Sequence, residues 1–422
     1  MLDGVLWSRF GAATIVGASL VACSGSDAFS ETVPLDECPN LAYSPCDVGR
    51  VACQTQLLEL AACIYGVFAA PKVPVRVLGE QELVDELAGE PSDTLETAGR
   101  VARPQIERAL VDLGLLQTGE LTPDGAWVAN TVQRLDSVYR DAERGIVLID
   151  RGLPLDSAEE DARLVHEFVH ALQDQQYGLE SWRQKYDGQV DTELALRSVT
   201  EGQATLVQYR AWAAMAGNDA KYVDWLTTFV NLRQKQLASA LADASPYLGS
   251  DASFPIGFGA VPAYALRQTE GPTYHATQFA DPPQTSLAVI ARNLNRDMPS
   301  FDAAPFSTPA PSDSYSAAGE TALGAFLLQV FSHQLGDDGT NSFALSLAWR
   351  GDRLSVYSGP NDQAAWLWQV QLADDTTAEE LQADAAGGHM TVEADRSRLF
   401  LLGGDSPPQF LFDAGRAFLE AD

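Results

Sequence analysis

Positive charge is scarce in this chain. Its 422 residues carry 27 lysines and arginines against 58 aspartates and glutamates, a formal net charge of −31. A nucleic-acid binder presents a basic surface, so no nucleic-acid partner is expected. The acidity favours solubility and could draw cationic ligands. A salt-rich habitat would account for it equally well, so it names no substrate. Long apolar runs are missing too. Residues 11–22 form an apolar run too short to cross a bilayer, and no second stretch reaches spanning length. No internal repeat occurs. Cysteine and histidine are rare, five of each, and both are used in clusters. Hydrophobic residues make up 46%, ample for a globular core. About 400 residues could form one large domain or two.

Two of the five histidines stand in His166-Glu167-Phe168-Val169-His170. Residues i and i+4 of a helix share one face, a turn apart, so two imidazoles so placed can hold one metal ion. The glutamate between them is rotated aside and can reach a water beside that ion, the H-E-x-x-H arrangement of zinc hydrolases. Local signals make the segment a helix over Ala158–Tyr177. Ser157 followed by Glu160 reads as a capping box. Glu159, Glu160 and Asp161 place negative charge in the first turn, where the helix dipole favours it. Ala162, Val165, Val169 and Leu172 form an apolar stripe, and Gly178 is suited to end the helix.

The N-terminal apolar run ends in Leu20-Val21-Ala22-Cys23. A short apolar region followed by small residues reads as a secretory signal, and the cysteine after Leu-x-Ala resembles a bacterial lipobox. That resemblance implies cleavage before Cys23, its lipidation, and a membrane contact through the anchor. Ser24 resembles the outer-membrane sorting class, so an exported protein of the bacterial cell envelope, facing periplasm or surface, is expected. Cys38, Cys46, Cys53 and Cys63 crowd into 26 residues, an even set that suggests two disulfides in an exported chain. Gln54–Tyr65 looks helical. If that helix carries both Cys53 and Cys63, they lie about 15 Å apart and cannot bond to each other. Each should then pair with Cys38 or Cys46.

Further along, Val75–Leu78 reads as a strand and Glu80–Ala88 as a helix. Leu95–Leu115 carries a helical pattern that Val128–Tyr139 continues. Gly145–Asp150 is a β-branched apolar run that reads as a strand. A catalytic zinc needs three protein ligands and an open position. The next helix, Asp191–Tyr209, offers Glu193 and Glu201. Glu193 belongs to the polar helix start, where acids are common. Glu201 is followed by Gly202, which lets another element come close, and Glu201 is the expected ligand.

The run His166-Glu167-Phe168-Val169-His170-Ala171-Leu172-Gln173-Asp174-Gln175, followed by Glu201-Gly202-Gln203-Ala204, resembles the gluzincin metallopeptidases. More narrowly, it resembles a bacterial group with H-E-x-x-H-A-L-Q-D-Q and an E-G-x-A helix. The resemblance implies one Zn2+ per chain held by His166, His170 and Glu201, with Glu167 as general base hydrolysing a peptide or protein substrate. It also implies an acid at Asp174, in reach to orient an imidazole or simply on the helix surface. In thermolysin-type enzymes the strand before the motif helix edges the cleft, which gives Gly145–Asp150 that place. Phe254–Gly259, Asp281–Thr285 and Trp349–Arg353 resemble downstream segments of the group. Ser286–Ile290 replaces its T-E-Q and H-P-x-x-Y, so the likeness spans roughly residues 73–386. The oxyanion donor is sought among His275, Tyr264 and Tyr274, while His333 and His389 are set aside.

The C-terminal half reads as a helix over Tyr222–Leu241, a Pro/Ser-rich loop over Pro299–Ser314 and an apolar helix over Ala317–Leu335. Strands follow at Leu354–Tyr357 and Ala365–Leu372, a helix at Thr376–Ala386, strands at Thr391–Glu393 and Arg398–Leu402, and a last helix. The expected fold is α+β, zincin-like and predominantly helical, with a small edge sheet before the H-E-x-x-H helix and an α+β C-terminal lobe forming the other cleft wall. The expected organisation is a lipoprotein-type signal peptide (1–22), a Cys-rich segment (23–70), a metal-site domain (71–298), a loop (299–317) and the C-terminal lobe (318–422). The functional expectation is a zinc metallopeptidase of the cell envelope. Its rivals are a catalytically silent surface lipoprotein used for binding or envelope assembly, and a zinc hydrolase of non-peptide amides.

Overall fold

The computed structural model describes residues 44–67, 72–88, 104–119, 135–152, 155–186, 189–215, 223–296, 308–312, 314–336, 340–385, 390–405 and 407–421, with Cys38, Val132, Gln133 and Phe306. The expected signal peptide (1–22), Cys23 and His389 lie outside them. The fold is mixed α+β, with helices predominating and two small sheets.

Helix α1 (Val51–Tyr65) is followed by β1 (Val75–Gly79), α2 (Glu80–Ala88), α3 (Pro104–Asp112), β2 (Ser137–Arg140) and β3 (Gly145–Asp150). The first sheet has the order β1-β3-β2, with β1 parallel and β2 antiparallel to β3. Strand β3 is therefore central, not at the cleft edge. Its unbroken apolar run has a direct cause: Ile146 and Leu148 join the core that holds the motif helix, while Val147 and Ile149 join a separate cluster with Leu83 and Leu87 of α2. A strand covered on both faces loses the apolar–polar alternation. Of the two edge strands, the one packed on the motif helix is β2, where a continuing helix was expected through Tyr139. Ser-Val-Tyr-Arg has branched and aromatic residues that suit a pleated surface, and pairing with β3 decides the outcome.

Helix α4 (Ala158–Tyr177) matches the expected bounds residue for residue. Ser157 accepts from the Glu160 amide at 3.1 Å, and Gly178 ends the helix in the left-handed region. After α5 (Leu179–Arg183) comes α6 (Val190–Met215), then α7 (Trp225–Ala242), α8 (Pro246–Glu270), α9 (Tyr274–Ala280) and α10 (Ser286–Asn293). Helix α6 is buried on most of its circumference, with α4 and α1 on one side and α8 on another. It meets α8 backbone to backbone. A Cβ on Gly202 would lie 2.2 Å from the Gly259 carbonyl carbon, and one on Gly259 would lie 2.1 Å from the Ser198 oxygen. Helix α8 tolerates an internal Pro262, whose missing N–H leaves the Phe258 carbonyl without its helical donor. The Asn293 amide fills that gap at 2.6 Å.

The remainder comprises β4 (Ser316–Thr321), α11 (Gly324–Gln334), α12 (Thr340–Ala348), β5 (Trp349–Ser358), β6 (Ala364–Leu372), α13 (Asp375–Ala385), β7 (Thr391–Asp395), β8 (Arg398–Gly404) and α14 (Gln409–Glu420). The second sheet is antiparallel throughout, in the order β4-β5-β6-β8-β7. The single apolar helix expected over Ala317–Leu335 is instead a strand and a helix. The alanines favour helix, but Gly319 and Thr321 do not, and the ladder to β5 prevails. Buried Asp352 holds this lobe together. It accepts from the indoles of Trp349 and Trp368 and from the amides of Leu323 and Gly324 at the start of α11, all at 2.7–3.0 Å. Burial pushes its carboxyl up, against the pull of those four donors.

One apolar core runs through α3, α6, α8, α10, α11 and the second sheet, and the described residues fall in one compact unit, Thr32–Asp422. The C-terminal lobe meets the helical part at the start of α6, where the Asp191 amide donates to Ala322 and its carboxylate accepts from the Ser286 amide. Gly259→Ala should lower stability by about 2 kcal/mol or more, since overpacking costs about 1–3 kcal/mol. Urea midpoints compare the two proteins, and an unchanged midpoint would contradict the helix contact described here.

Candidate metal centre

Helices α4 and α6 bring three expected residues to one point. His166 Nε2 lies 3.1 Å from Glu201 Oε2 and 3.1 Å from His170 Nε2, and His170 Nε2 lies 3.6 Å from the same carboxylate oxygen. Donors bound to zinc at ~2.0–2.1 Å in tetrahedral geometry stand about 3.3 Å from one another, so these separations bracket the requirement. The three side chains are 11–20% exposed, enclosed yet reachable. Glu193, the rejected alternative, starts the same helix two turns away.

The ring nitrogens facing away are also held. His166 Nδ1 lies 3.0 Å from Gln208 Oε1, and His170 Nδ1 lies 2.9 Å from Gln173 Oε1. An amide oxygen accepts, so each Nδ1 carries the hydrogen and each Nε2 turns a lone pair inward. Two lone pairs and a carboxylate then point at one another, an arrangement that only a cation or protons can satisfy. The electrostatics agree. Burial alone would lower His170, but the charge and hydrogen bond of Glu201, with the charge of Glu167, raise it to about 9. Burial alone would raise Glu201, but the two histidines hold it well below the usual carboxylate range. The donor set therefore fits a divalent ion with two imidazole and one carboxylate ligands.

Glu167, buried beside the pair, accepts from the Ser137 hydroxyl at 2.8 Å. Two residues along β2, Tyr139 donates to Asp174 at 3.0 Å. Asp174 also accepts from the Leu179 amide at 2.9 Å. It thus ties the end of α4 to α5 and β2 and does not orient an imidazole; Gln173, its neighbour, holds His170.

Comparison with protein-family models, curated proteins and solved structures finds no match.

The oxyanion candidates separate by their surroundings. Tyr264 is built into the aromatic cluster of α6, α7 and α8, 5.9 Å from Phe229. Tyr274 is fully buried with the Arg267 guanidinium over its ring at 5.5 Å. Neither is hydrogen-bonded to the triad. His275 lies closer to the ligand network: it stacks on Tyr65, centroids 4.6 Å apart, and its Nδ1 is 2.6 Å from the Tyr177 hydroxyl at the end of α4. Among the described residues, every side chain hydrogen-bonded to the triad comes from α4 or α6, so the C-terminal lobe supplies none. His333 sits in the last turn of α11, away from these groups.

The cysteines form Cys38–Cys63 and Cys46–Cys53, so Cys53 and Cys63 each take a partner from the preceding segment. Cys46, Cys53 and Asp161 also cluster, but both sulfurs are committed to the disulfide. Asp161, in the first turns of α4, accepts from the Cys46 amide at 3.0 Å. Sequence reading passed over Ser137, Gln173, Gln203 and Gln208. The usable signals were the i, i+3 spacing of His170 and Gln173, and the one-face spacing of Glu201 and Gln208 on α6.

His275 yields a pH prediction. Burial first, then the Arg267 charge, lowers it to about 4, whereas an unfolded histidine titrates near ~6.5. Between those values the unfolded chain binds a proton that the folded chain refuses. Stability should therefore fall as pH drops from about 6.5 towards 4, with no His275 contribution to the slope above that window. His275→Gln, which keeps an acceptor for Tyr177, should lose less Tm than the parent between pH 7.5 and pH 5. Equal losses would show that His275 does not drive the slope.

Proposed function

We propose that this chain is a zinc-dependent metallopeptidase of gluzincin type and zincin-like fold, exported to the cell envelope. The convergence of His166, His170 and Glu201 with Glu167 alongside is the observation that supports it. A binding module would need the ligands but not the buried carboxylate next to them. The Leu20–Cys23 segment supports a lipid anchor at the membrane.

Zinc bound by the triad would supply a Lewis acid for the peptide carbonyl and an acidified water. Glu167 takes the proton of the attacking water on its carboxylate and passes it to the leaving amine. Ser137 donates to Oε1 of Glu167 and so holds that carboxylate in one orientation. Strand β2 suits an extended substrate. The Ile149 amide donates to the Asp136 carbonyl, and in an antiparallel ladder alternate residues bond inward. Asp136, Val138 and Arg140 thus face β3, and the N–H and C=O groups of Ser137 and Tyr139 face the outer edge. No further strand pairs there among the described residues. A peptide laid along that edge passes beside Glu167.

The test uses metal analysis and a peptide-library assay together. The parent should hold about one zinc, and Glu201→Ala should lose it. Glu167→Gln should keep the zinc while peptide turnover falls about 10²–10⁴-fold. A Glu167→Gln protein that hydrolyses peptides at the parental rate would overturn the mechanism. A parent that takes up no zinc would favour the silent binding protein.

A further inference from the structure

We propose that Gln173 is a positioning residue that fixes the ring state of His170 and braces the two ligand-bearing helices against each other, an inference that rests on the metal reading above. One backbone carbonyl fixes which way the amide points. Gln173 Nε2 donates to Thr200 O at 3.0 Å. A carbonyl can only accept, so the amide cannot be turned round without placing oxygen against oxygen. Gln173 Oε1 therefore faces His170 Nδ1, the Nδ1 hydrogen stays in place, and Nε2 is the nitrogen left to take a proton or a metal ion beside Glu201.

The acceptor carbonyl is as telling as the bond. Thr200 immediately precedes Glu201, so one amide joins a histidine on α4 to the backbone beside the carboxylate ligand on α6. Gln173 itself is fully buried, where an unmade hydrogen bond would cost its full desolvation penalty. Its amide is supported further out. Nε2 also lies 3.1 Å from Gln203 Oε1, which accepts from Tyr65 at 2.9 Å, and Gln203 Nε2 donates to Gln278 at 2.8 Å. Each amide nitrogen faces an oxygen, so the whole chain runs in one direction. Tyr65, the last residue of α1, and Gln278, on α9, close it. A neutral, buried amide chain of this kind does not contribute charge to the site; it determines where a ring points.

The experiment measures zinc affinity by chelator competition for the parent, Gln173→Met and Gln173→Glu, with the metal-free Tm of each as a folding control. Methionine keeps the length and loses the acceptor. Glutamate, held as the neutral acid by burial, keeps a carbonyl oxygen for Nδ1–H and an O–H that donates to Thr200 O in place of the amide. Gln173→Met should bind zinc 10–100-fold more weakly, the range for lost partners of metal-bound histidines. Gln173→Glu should stay within about threefold of the parent, inside the context-dependent spread of such partners. The visible spectrum of the Co2+ form should change in Gln173→Met and remain parental in Gln173→Glu. Parental affinity in Gln173→Met, or an equal loss in both variants, would overturn the proposal and show a packing role only. Should Gln173→Met not fold, the zinc-loaded parent decides: a slowly exchanging His170 Nδ1–H proton in NMR supports the brace, and a freely exchanging one overturns it. A parent with no zinc affinity removes the metal reading itself, which separates that failure from failure of the brace.

Discussion

The contact between Gly202 and Gly259 sets the position of everything around the site. Two helices meeting through backbone alone come closer than any side chain would allow. Helix α6 is thereby pressed into the middle of the helical lobe, one face on α8 and the neighbouring face toward α4. Glu201 precedes Gly202 by one residue and about 100° of rotation. The residue that needs the least room and the residue that must reach the histidines are thus adjacent in sequence and point to different helices. If α6 sat farther from α8, its other face would shift against α4, and the Thr200 carbonyl and Glu201 carboxylate would move with it.

Helix α4 was legible because its determinants are local. Ser157, the acidic first turn, the apolar stripe and Gly178 all lie within the segment they specify, and the structure uses them as expected. Glu201 was legible for a related reason: its glycine neighbour marks a close approach that the fold contains. Strand β2 was not, because Ser137–Arg140 owes its conformation to pairing with β3, a tertiary fact that outweighs the helical spacing of the residues before it. Ala317–Thr321 went the same way. The partners of the ligands were hidden by chemistry rather than distance. An acid such as Asp174 draws attention as an imidazole partner, whereas a glutamine reads as surface. Here the acid serves a helix junction and the glutamines do the orienting.

Two buried carboxylates illustrate different solutions to the same problem. Asp352 is surrounded by four neutral N–H donors and needs no counter-ion for its hydrogen bonds. Glu201 faces Nε2 of both His166 and His170, and only positive charge, a proton or a metal ion, satisfies the three together. The first kind of environment stabilises a fold, and the second makes a place for a cation. In a chain of such negative charge, that distinction matters more than the number of acids.

The network around His170 also bears on how the lobe folds. Its members come from Tyr65, Gln173, Thr200, Gln203 and Gln278, so it closes only when chain segments more than 200 residues apart have been placed. Its longest bond, from Tyr65 to Gln203, spans 138 residues, while Gln173 and Thr200 are only 27 apart, and loop-closure entropy grows with that length. His166 and His170, by contrast, become neighbours as soon as one helix forms. The paired imidazoles thus need only α4, Glu201 and the Thr200 carbonyl need α6 packed 27–35 residues further on, and the Tyr65 and Gln278 ends need α1 and α9 in place, so a complete network reports a finished helical lobe.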